Sequence, residues 1–276
     1  MLKTRLITAA LLLVLFGFVL CIGDKAFATA SAVITGLIIY EFLAVSLIPS
    51  RRGEKFYQDD AVVYALLLTL PGLALVFLTA WIALVLFTIA VTVFFCRECF
   101  LFESMPDEEP AKEVLSAFAI AVLYPFLFVL LFILSTDRIA EIFQAGAWRV
   151  ILWFVFLVIA SDTGAYFGGK LFGKNKLAPR ISPNKTVEGA ISGFVSVLIF
   201  SQIFAQFLKL PPLFLNQIVV AILIGLLAPI GDLVESFVKR LYGVKDMGRL
   251  LPGHGGVFDR VDSYIFASLA LFLLTI

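Results

Sequence analysis

The sequence has one histidine and three cysteines among its 276 residues, and charged residues make up only 15% of it. So few nitrogen and sulfur ligands make a four-ligand zinc site a poor interpretation, even though Cys96 and Cys99 form a C-x-x-C pair. We interpret this pair as structural or incidental, and no disulfide framework is predicted. The low charge, the 62% apolar content and the mean hydropathy of +1.06 exclude an ordinary soluble domain.

The apolar residues form runs long enough to cross a bilayer, which takes about 20 residues. We predict an all-α, polytopic membrane protein with about nine transmembrane helices. The predicted spans are 6–22, 26–48, two crossings within 61–102, 114–134, 147–168, 187–208, 213–230 and 263–276. Residues 1–110 would hold four helices, and residues 111–276 a catalytic region with five helices and the water-facing loops 169–186 and 231–261.

Basic residues are distributed unevenly among the predicted loops. With the N-terminus inside, the inner segments carry 17 of the 21 Lys and Arg residues. This bias predicts a multi-pass protein of the cell (inner) membrane with both charged loops in the cytoplasm. Lys3 and Arg5 precede the first apolar run and an A-x-A tripeptide follows it, so a cleaved signal peptide is the alternative to a retained first helix.

Two acidic residues fall inside predicted spans, where ionisable groups usually mark a functional site. Asp162 is expected to be buried in an apolar run and therefore to need a partner or a cation. Glu41 has two interpretations that the sequence leaves open. It is either part of a site or a carboxyl near the interface that hydrogen-bonds to a neighbouring helix.

The first charged loop carries five basic residues and ends in donor-rich side chains. Four of these donors lie directly before the next predicted helix: Ser182, Asn184, Lys185 and Thr186. Because a helix N-terminus favours an anion, this arrangement predicts a phosphate site. A basic patch attracted to anionic lipid is the alternative.

The densest charge lies between residues 229 and 262. Asp232, Glu235 and Lys239 have helical spacing and would form one polar stripe, although Pro229 is expected to break the helix just before them. The glycines around His254 would let the backbone approach a phosphate closely. Carboxylates with few soft ligands suit Mg²⁺. Carboxylates, a metal and many cations together indicate phosphoryl or nucleotidyl transfer.

Residues 236–262 resemble the full signature of the phosphatidate cytidylyltransferase (CDP-diacylglycerol synthase) family. The matching polar and turn positions are Ser236, Lys239, Arg240, Lys245, Asp246, Gly248, Pro252, His254, Gly255, Gly256, Asp259, Arg260 and Asp262. The segments S-D-T-G-A-Y at 161–166 and S-P-N-K-T-V-E-G at 182–189 also resemble this family. The likeness covers roughly the C-terminal half, and the N-terminal half is similar only in being a set of apolar helices.

The resemblance implies a reaction in which CTP and phosphatidic acid give CDP-diacylglycerol and pyrophosphate. It implies a membrane enzyme that forms a homodimer, contacts membrane lipid and does not act on nucleic acid. It also implies a site for Mg²⁺, with room for a second cation such as K⁺.

Site residues are assigned on this resemblance. The metal ligands would be Asp232 and Asp259, and the catalytic residues Asp246, Lys239, His254 and Arg260. The substrate-binding residues would be Asp162, Ser182, Asn184, Lys185, Thr186, Lys245, Arg249, Gly255 and Gly256. His254 is expected to orient a substrate rather than act as a base. Asp162 would bind the cytosine or ribose, or the metal through water, and this choice stays open.

Three other classes of protein share some of these sequence features. A CDP-alcohol phosphotransferase would be expected to carry a D-G-x-x-A-R core, and the sequence contains no Asp-Gly pair. A CTP-dependent lipid-alcohol kinase would also couple CTP to a membrane lipid, but would move the γ-phosphate. A transporter or channel would place charged residues at the midplane and would not turn over CTP.

Overall fold

Long apolar helices dominate the computed structural model, which describes residues 2–47, 140–212 and 214–275 and scattered positions between 62 and 86. In chain order the elements are α1 (Leu2–Ile22), α2 (Asp24–Leu47), α3 (Ala147–Phe172), β1 (Lys176–Ala178), β2 (Ser182–Thr186), α4 (Val187–Phe207), α5 (Phe214–Leu241) and α6 (Phe258–Thr275). The helices α1 to α5 are each long and apolar enough to cross a membrane. The chain therefore has the helical character of a membrane protein.

The apolar runs located these helices well. The predicted spans 6–22, 26–48, 147–168 and 187–208 each correspond to a helix of the structure, with ends that differ by a few residues. The spans predicted within 61–102 and at 114–134 lie outside the described residues or touch them only at scattered positions, as does the C-x-x-C pair. The total of about nine spans therefore stays a prediction.

The prediction that Pro229 ends a helix is wrong, because α5 continues through Pro229 to Leu241. Proline removes one N–H from the ladder, but neighbouring helices can compensate for this in a membrane protein. Helix α6 packs closely on α5 just after this proline: a Cβ added to Gly231 would lie 2.5 Å from the backbone oxygen of Asp262 in α6. Residues 231–241, assigned to a loop from the sequence, therefore extend the transmembrane helix, and the polar stripe that begins at Asp232 is helical.

The chain divides into two compact units. One comprises Met1–Leu130 together with Asp246–Asp259, so a late loop belongs with α1 and α2. The other comprises Leu131–Lys245 and Arg260–Ile276, and contains α3, α4, α5, the strands and most of α6.

In the second unit, α3 and α4 pack through small residues. A Cβ added to Gly193 of α4 would lie 2.7 Å from the backbone oxygen of Ser161 in α3, and one added to Gly189 would lie 2.8 Å from that of Ala165. On α3, Gly164 and Gly168 are approached equally closely by serine side chains of α4. Small residues allow membrane helices to approach at backbone distance, where van der Waals packing stabilises them.

The strands form an antiparallel hairpin that the all-α prediction did not include. Lys176 pairs with Thr186 and Ala178 with Ser182, and the amide of Ile181 donates to the Ala178 oxygen across the turn. Such short strands lack the alternating pattern by which sequence reveals a strand.

We expect Gly193→Ala to destabilise the protein although alanine is the better helix former. The added methyl group meets backbone that cannot rotate away, and overpacking of this kind costs about 1–3 kcal/mol. The midpoint of thermal unfolding in detergent should fall. Gly17→Ala in α1 is the matched control, because no other group lies within 4 Å of its added Cβ. Equal midpoints for the two variants would contradict the packing described here.

Candidate functional site

The hairpin is tied to the start of α4 by two side chains. The Thr186 hydroxyl accepts a hydrogen bond from the Gly189 amide (3.1 Å) and caps the helix. The Glu188 carboxylate accepts from the amides of Lys174 (3.0 Å) and Asn175 (3.1 Å) and from the Asn175 side chain (2.8 Å). The Glu188 bonds hold the start of the hairpin, just before β1, against the N-terminus of α4, where backbone donors face outward.

A pocket of about 590 Å³ opens beside this helix start. Its wall is formed by the hairpin, the C-terminal part of α3, the first turn of α4 and the middle of α5. Five residues predicted to bind substrate line it: Asp162, Ser182, Asn184, Lys185 and Thr186. Asp232, a predicted metal ligand, lines it too. The structure therefore brings together six residues that are spread over 70 positions of the sequence.

An ion pair joins the two sides of the pocket. The Lys185 Nζ of β2 lies 2.7 Å from the Asp232 Oδ2 of α5. The two side chains are 23% and 34% exposed, so the pair is only partly solvated. Arg240 adds a second link, since its Nε donates to the Ile181 oxygen in the hairpin turn at 3.2 Å. The hairpin is thus fixed to α5 at both of its ends.

Three carboxylates converge next to this ion pair. One oxygen each of Asp232, Glu235 and Asp262 lies within 4.8 Å of the others. Glu235 is only 1% exposed, and Lys239 one turn further along α5 lies 2.8 Å from its Oε1. Carboxylates this close repel one another strongly where water is scarce, and a hard divalent cation would remove that repulsion. The donor set fits such a cation, and we refer to these three residues as the carboxylate cluster.

The sequence predicts a buried Asp162, and the structure differs. Its side chain is exposed, lines the pocket and accepts a long hydrogen bond of 3.4 Å from the Ser263 hydroxyl. Asp162 can therefore meet a ligand directly.

Asp259 lies in the other unit, where it organises the loop that precedes α6. Its carboxylate accepts from the Met247 amide (3.1 and 3.2 Å) and from the Gly256 amide (2.8 Å). Leu251 and Gly255 pair across the same loop, and the His254 amide donates to the Leu251 oxygen. Gly253 and Gly255 have φ of +78° and +87°, values that favour glycine. The glycines of the signature are therefore needed for the turn itself.

Comparisons with known proteins bear directly on this arrangement. The model of the cytidylyltransferase family matches residues 3–276. The chain belongs to the cytidylyltransferase family. As a member, it is a nucleotidyltransferase.

Relatives of this cytidylyltransferase carry the name phosphatidate cytidylyltransferase. The protein of Bacillus subtilis strain 168 is 32% identical over 286 residues, which cover 99% of the chain and 97% of the relative. The protein of Helicobacter pylori strain J99 is 49% identical over 124 residues, covering 45% of the chain and 46% of the relative. That of Staphylococcus saprophyticus is 47% identical over 124 residues, covering 45% and 48%. The stronger local matches thus span about half the length of those relatives.

The predicted site residues of the cytidylyltransferase fall into two described groups. One is the pocket with the carboxylate cluster, to which Lys239 is linked through Glu235. The other is the loop Asp246–Asp259, which holds Asp246, Arg249, His254, Gly255, Gly256 and Asp259. Lys245 and Arg260 flank this loop and are exposed.

Glu235 and Asp262 are not among the metal ligands predicted from the sequence. A signal was present, because Glu235 follows Asp232 by three residues and Asp262 follows Asp259 by three, so each pair shares a helix face. The expected helix break at Pro229 obscured the first pair.

We expect Glu235→Gln and Asp262→Asn each to weaken Mn²⁺ binding by about tenfold or more, since each removes one anionic oxygen donor from the cluster. Electron paramagnetic resonance of free Mn²⁺ in detergent-solubilised protein measures this without any turnover. Glu141→Gln, which alters an exposed acid elsewhere in the described chain, is the matched control. Unchanged Mn²⁺ affinity in both cluster variants would exclude the cluster as a cation site.

Proposed function

We propose that this membrane enzyme transfers the cytidylyl group of CTP to phosphatidic acid, giving CDP-diacylglycerol and pyrophosphate for phospholipid biosynthesis. Membership of the cytidylyltransferase family supports the nucleotidyl transfer, and the names of the relatives support phosphatidate as the acceptor. The observation that carries the proposal is the pocket in which Lys185 and the hairpin donors face Asp232 of the carboxylate cluster.

The place of the pocket along the helices suits these two substrates. It is lined by residues 161–170 of α3, by the first turn of α4 and by Pro229 and Asp232 of α5. The segments of α3 and α4 that line it lie at the C-terminal part of one span and the N-terminus of the next, so the pocket lies near the end of these two spans. A lipid headgroup and a water-soluble nucleotide can meet there, and nowhere deeper in the hydrocarbon.

The reaction needs positioning more than proton transfer. A phosphate oxygen of phosphatidic acid, already ionised near neutral pH, attacks the α-phosphorus of CTP and forms the new P–O bond. The bond from the α-phosphorus to the bridging oxygen breaks, and its electron pair leaves with pyrophosphate. Because both substrates are polyanions, the enzyme has to hold them together against their repulsion.

Each group of residues has a part in this reaction. Lys185, Ser182, Asn184 and Thr186 would bind the triphosphate at the start of α4, and Asp162 would face the ribose, the base or a metal-bound water. Lys239, Lys245, Arg249 and Arg260 would balance the remaining phosphate charge. His254 would orient a phosphate, with Gly255 and Gly256 allowing close approach, and Asp246 would support the metal ligands.

A divalent cation, with Mg²⁺ as the preferred one, would be held by Asp232, Glu235 and Asp262. Bound there, it would supply positive charge to the phosphate oxygens in the transition state. Asp259 is retained as a further ligand, because it precedes Asp262 by one turn of α6. A ligand set of this size would also allow a second cation such as K⁺.

The proposal includes a topology and an assembly. The distribution of basic residues supports a cytoplasmic site in a chain of about nine spans, with the loops that carry Lys185 and Arg249 on that side of the inner membrane. The homodimer rests on the family resemblance.

Labelled CTP tests the reaction. With phosphatidic acid and Mg²⁺ in detergent micelles, we expect ³²P to enter the lipid from α-labelled CTP and not from γ-labelled CTP. Lipid labelled from the γ position would identify a lipid kinase. Folded protein that labels lipid from neither position, but moves solute across liposomes, would identify a transporter.

Lys185→Ala should raise the KM for CTP by about tenfold or more, because a charge-assisted hydrogen bond to phosphate contributes about 1.5–3 kcal/mol. Initial rates at varied CTP and saturating phosphatidic acid measure this. The matched control is Lys176→Ala, which removes an exposed cation from β1 that does not line the pocket. Equal KM values for the two variants would indicate that the hairpin is only a basic surface for anionic lipid.

A further inference from the structure

Glu41 is an acidic residue of α2 that the reaction described above does not use. It is 2% exposed and lies within a helix apolar enough to span the membrane. A carboxylate in such a place costs free energy unless it is hydrogen-bonded, and an apolar side chain of similar size would avoid that cost. The groups around Glu41 must therefore account for a carboxylate at this position.

Those surroundings are the loop that carries Asp259. The Phe258 amide donates to Glu41 Oε2 at 3.0 Å, and the backbone of Leu250 and Val257 also lies near the carboxylate. The next residue of α2, Phe42, packs edge-to-face on the Phe258 ring with 6.3 Å between centroids. One turn of α2 thus binds both the backbone and the side chain at the start of α6.

Two glycines of the family signature have no room for a side chain because of Glu41. A Cβ added to Gly256 would lie 2.5 Å from Glu41 Oε2, and one added to Gly248 would overlap the carboxylate. Gly248 approaches Oε1 and Gly256 approaches Oε2, so the two glycines contact the two oxygens of one carboxylate. Gly248 and Gly256 therefore form a socket that fits the Glu41 carboxylate.

Asp259 is linked to this socket. The Gly256 amide donates to Asp259 Oδ2, and the Phe258 amide, one residue before Asp259, donates to Glu41. The two carboxylates hold backbone amides two residues apart in one turn, so the position of Glu41 fixes the backbone from which the Asp259 side chain extends.

We infer that Glu41 is a positioning residue of the active site, which sets the loop at Gly248, Gly256 and Phe258 and thereby directs Asp259. This inference rests on the proposed function, since Asp259 is a proposed metal ligand. It gives the N-terminal half of the chain, which carries no signature residue, a part in catalysis.

The first experiment compares Glu41→Ala, Glu41→Gln and Thr35→Val. Glu41→Ala should lower kcat by about 10²-fold, the effect of misplacing a reacting group by about 1 Å, and leave the KM for CTP nearly unchanged. Glu41→Gln should retain most of kcat, because its amide oxygen can still accept from Phe258. Thr35→Val is the matched control in α2: it removes a buried hydroxyl whose bond to the Ser31 oxygen stays within the helix.

Trypsin provides a readout that needs no turnover. Arg249 is exposed in the loop, so cleavage after Arg249 reports how firmly the loop is held. Cleavage should be faster in Glu41→Ala than in wild type, Glu41→Gln or Thr35→Val. If wild-type protein transfers no cytidylyl group, the proposed function fails while this cleavage still tests the role of Glu41.

A second substitution tests the socket itself. Gly248→Ala should lower kcat in the wild-type background and cost much less in the Glu41→Ala background, where the clashing carboxylate is gone. Glu41→Gln is the control background: it keeps the clash, so Gly248→Ala should show the full loss there. If Glu41→Ala folds poorly, wild-type kcat in Gly248→Ala alone would still contradict the socket.

Three results would overturn the inference. They are wild-type kcat in Glu41→Ala, an equal loss in Thr35→Val, and a cost of Gly248→Ala that is the same in every background.

Discussion

The described structure depends on keeping several like charges close together inside a chain that is mostly apolar. Asp232, Glu235 and Asp262 each place one oxygen within 4.8 Å of the others, and Lys185 and Lys239 form ion pairs with Asp232 and Glu235. Neither set is stable in such surroundings alone, because an isolated buried charge costs far more than a paired one. Three features of this unit keep the carboxylates and the lysines facing each other. They are the small-residue contact of α3 with α4, the capped start of α4, and the hairpin fixed to α5 by Arg240. If a polyanion and a cation bound here together, the cation would balance the carboxylates in place of the lysines, and the lysines would balance the polyanion.

Much of the helical layout could be predicted from the sequence, because the bilayer requires about 20 apolar residues and the runs show where they are. The start of α4 was predicted as well, since hydroxyl and amide residues before an apolar run mark a helix N-terminus. The failure at Pro229 has a physical cause. Proline removes one N–H from the ladder, a loss that membrane helices tolerate, and α5 continues through Pro229 to pack closely on α6 at Gly231.

The candidate site was predicted in its residue types and only partly in its arrangement. Ser182, Asn184, Lys185 and Thr186 were found together because they are neighbours in sequence, and Asp232 joined them through tertiary structure alone. The carboxylate cluster could not be read from spacing, since Asp262 meets Asp232 and Glu235 only when α5 and α6 pack. Glu41 was recognised as unusual, but its partners lie more than 200 positions away. Contacts at such a distance leave no periodic signal in a single sequence.

The unit that contains Glu41 is assembled from two pieces of chain made at different times. Glu41 and Phe258 are 217 positions apart, and ribosomes add about 5–20 residues each second, so roughly 10–40 s separate the two residues during synthesis. Throughout this interval α2 has to reside in or beside the bilayer with an acid that lacks its native hydrogen-bond donor. The native packing of α2 in this unit therefore cannot be complete before Phe258 has been synthesised. Final closure of this unit waits for the last part of the polypeptide, which makes the C-terminal loop a late step in biogenesis.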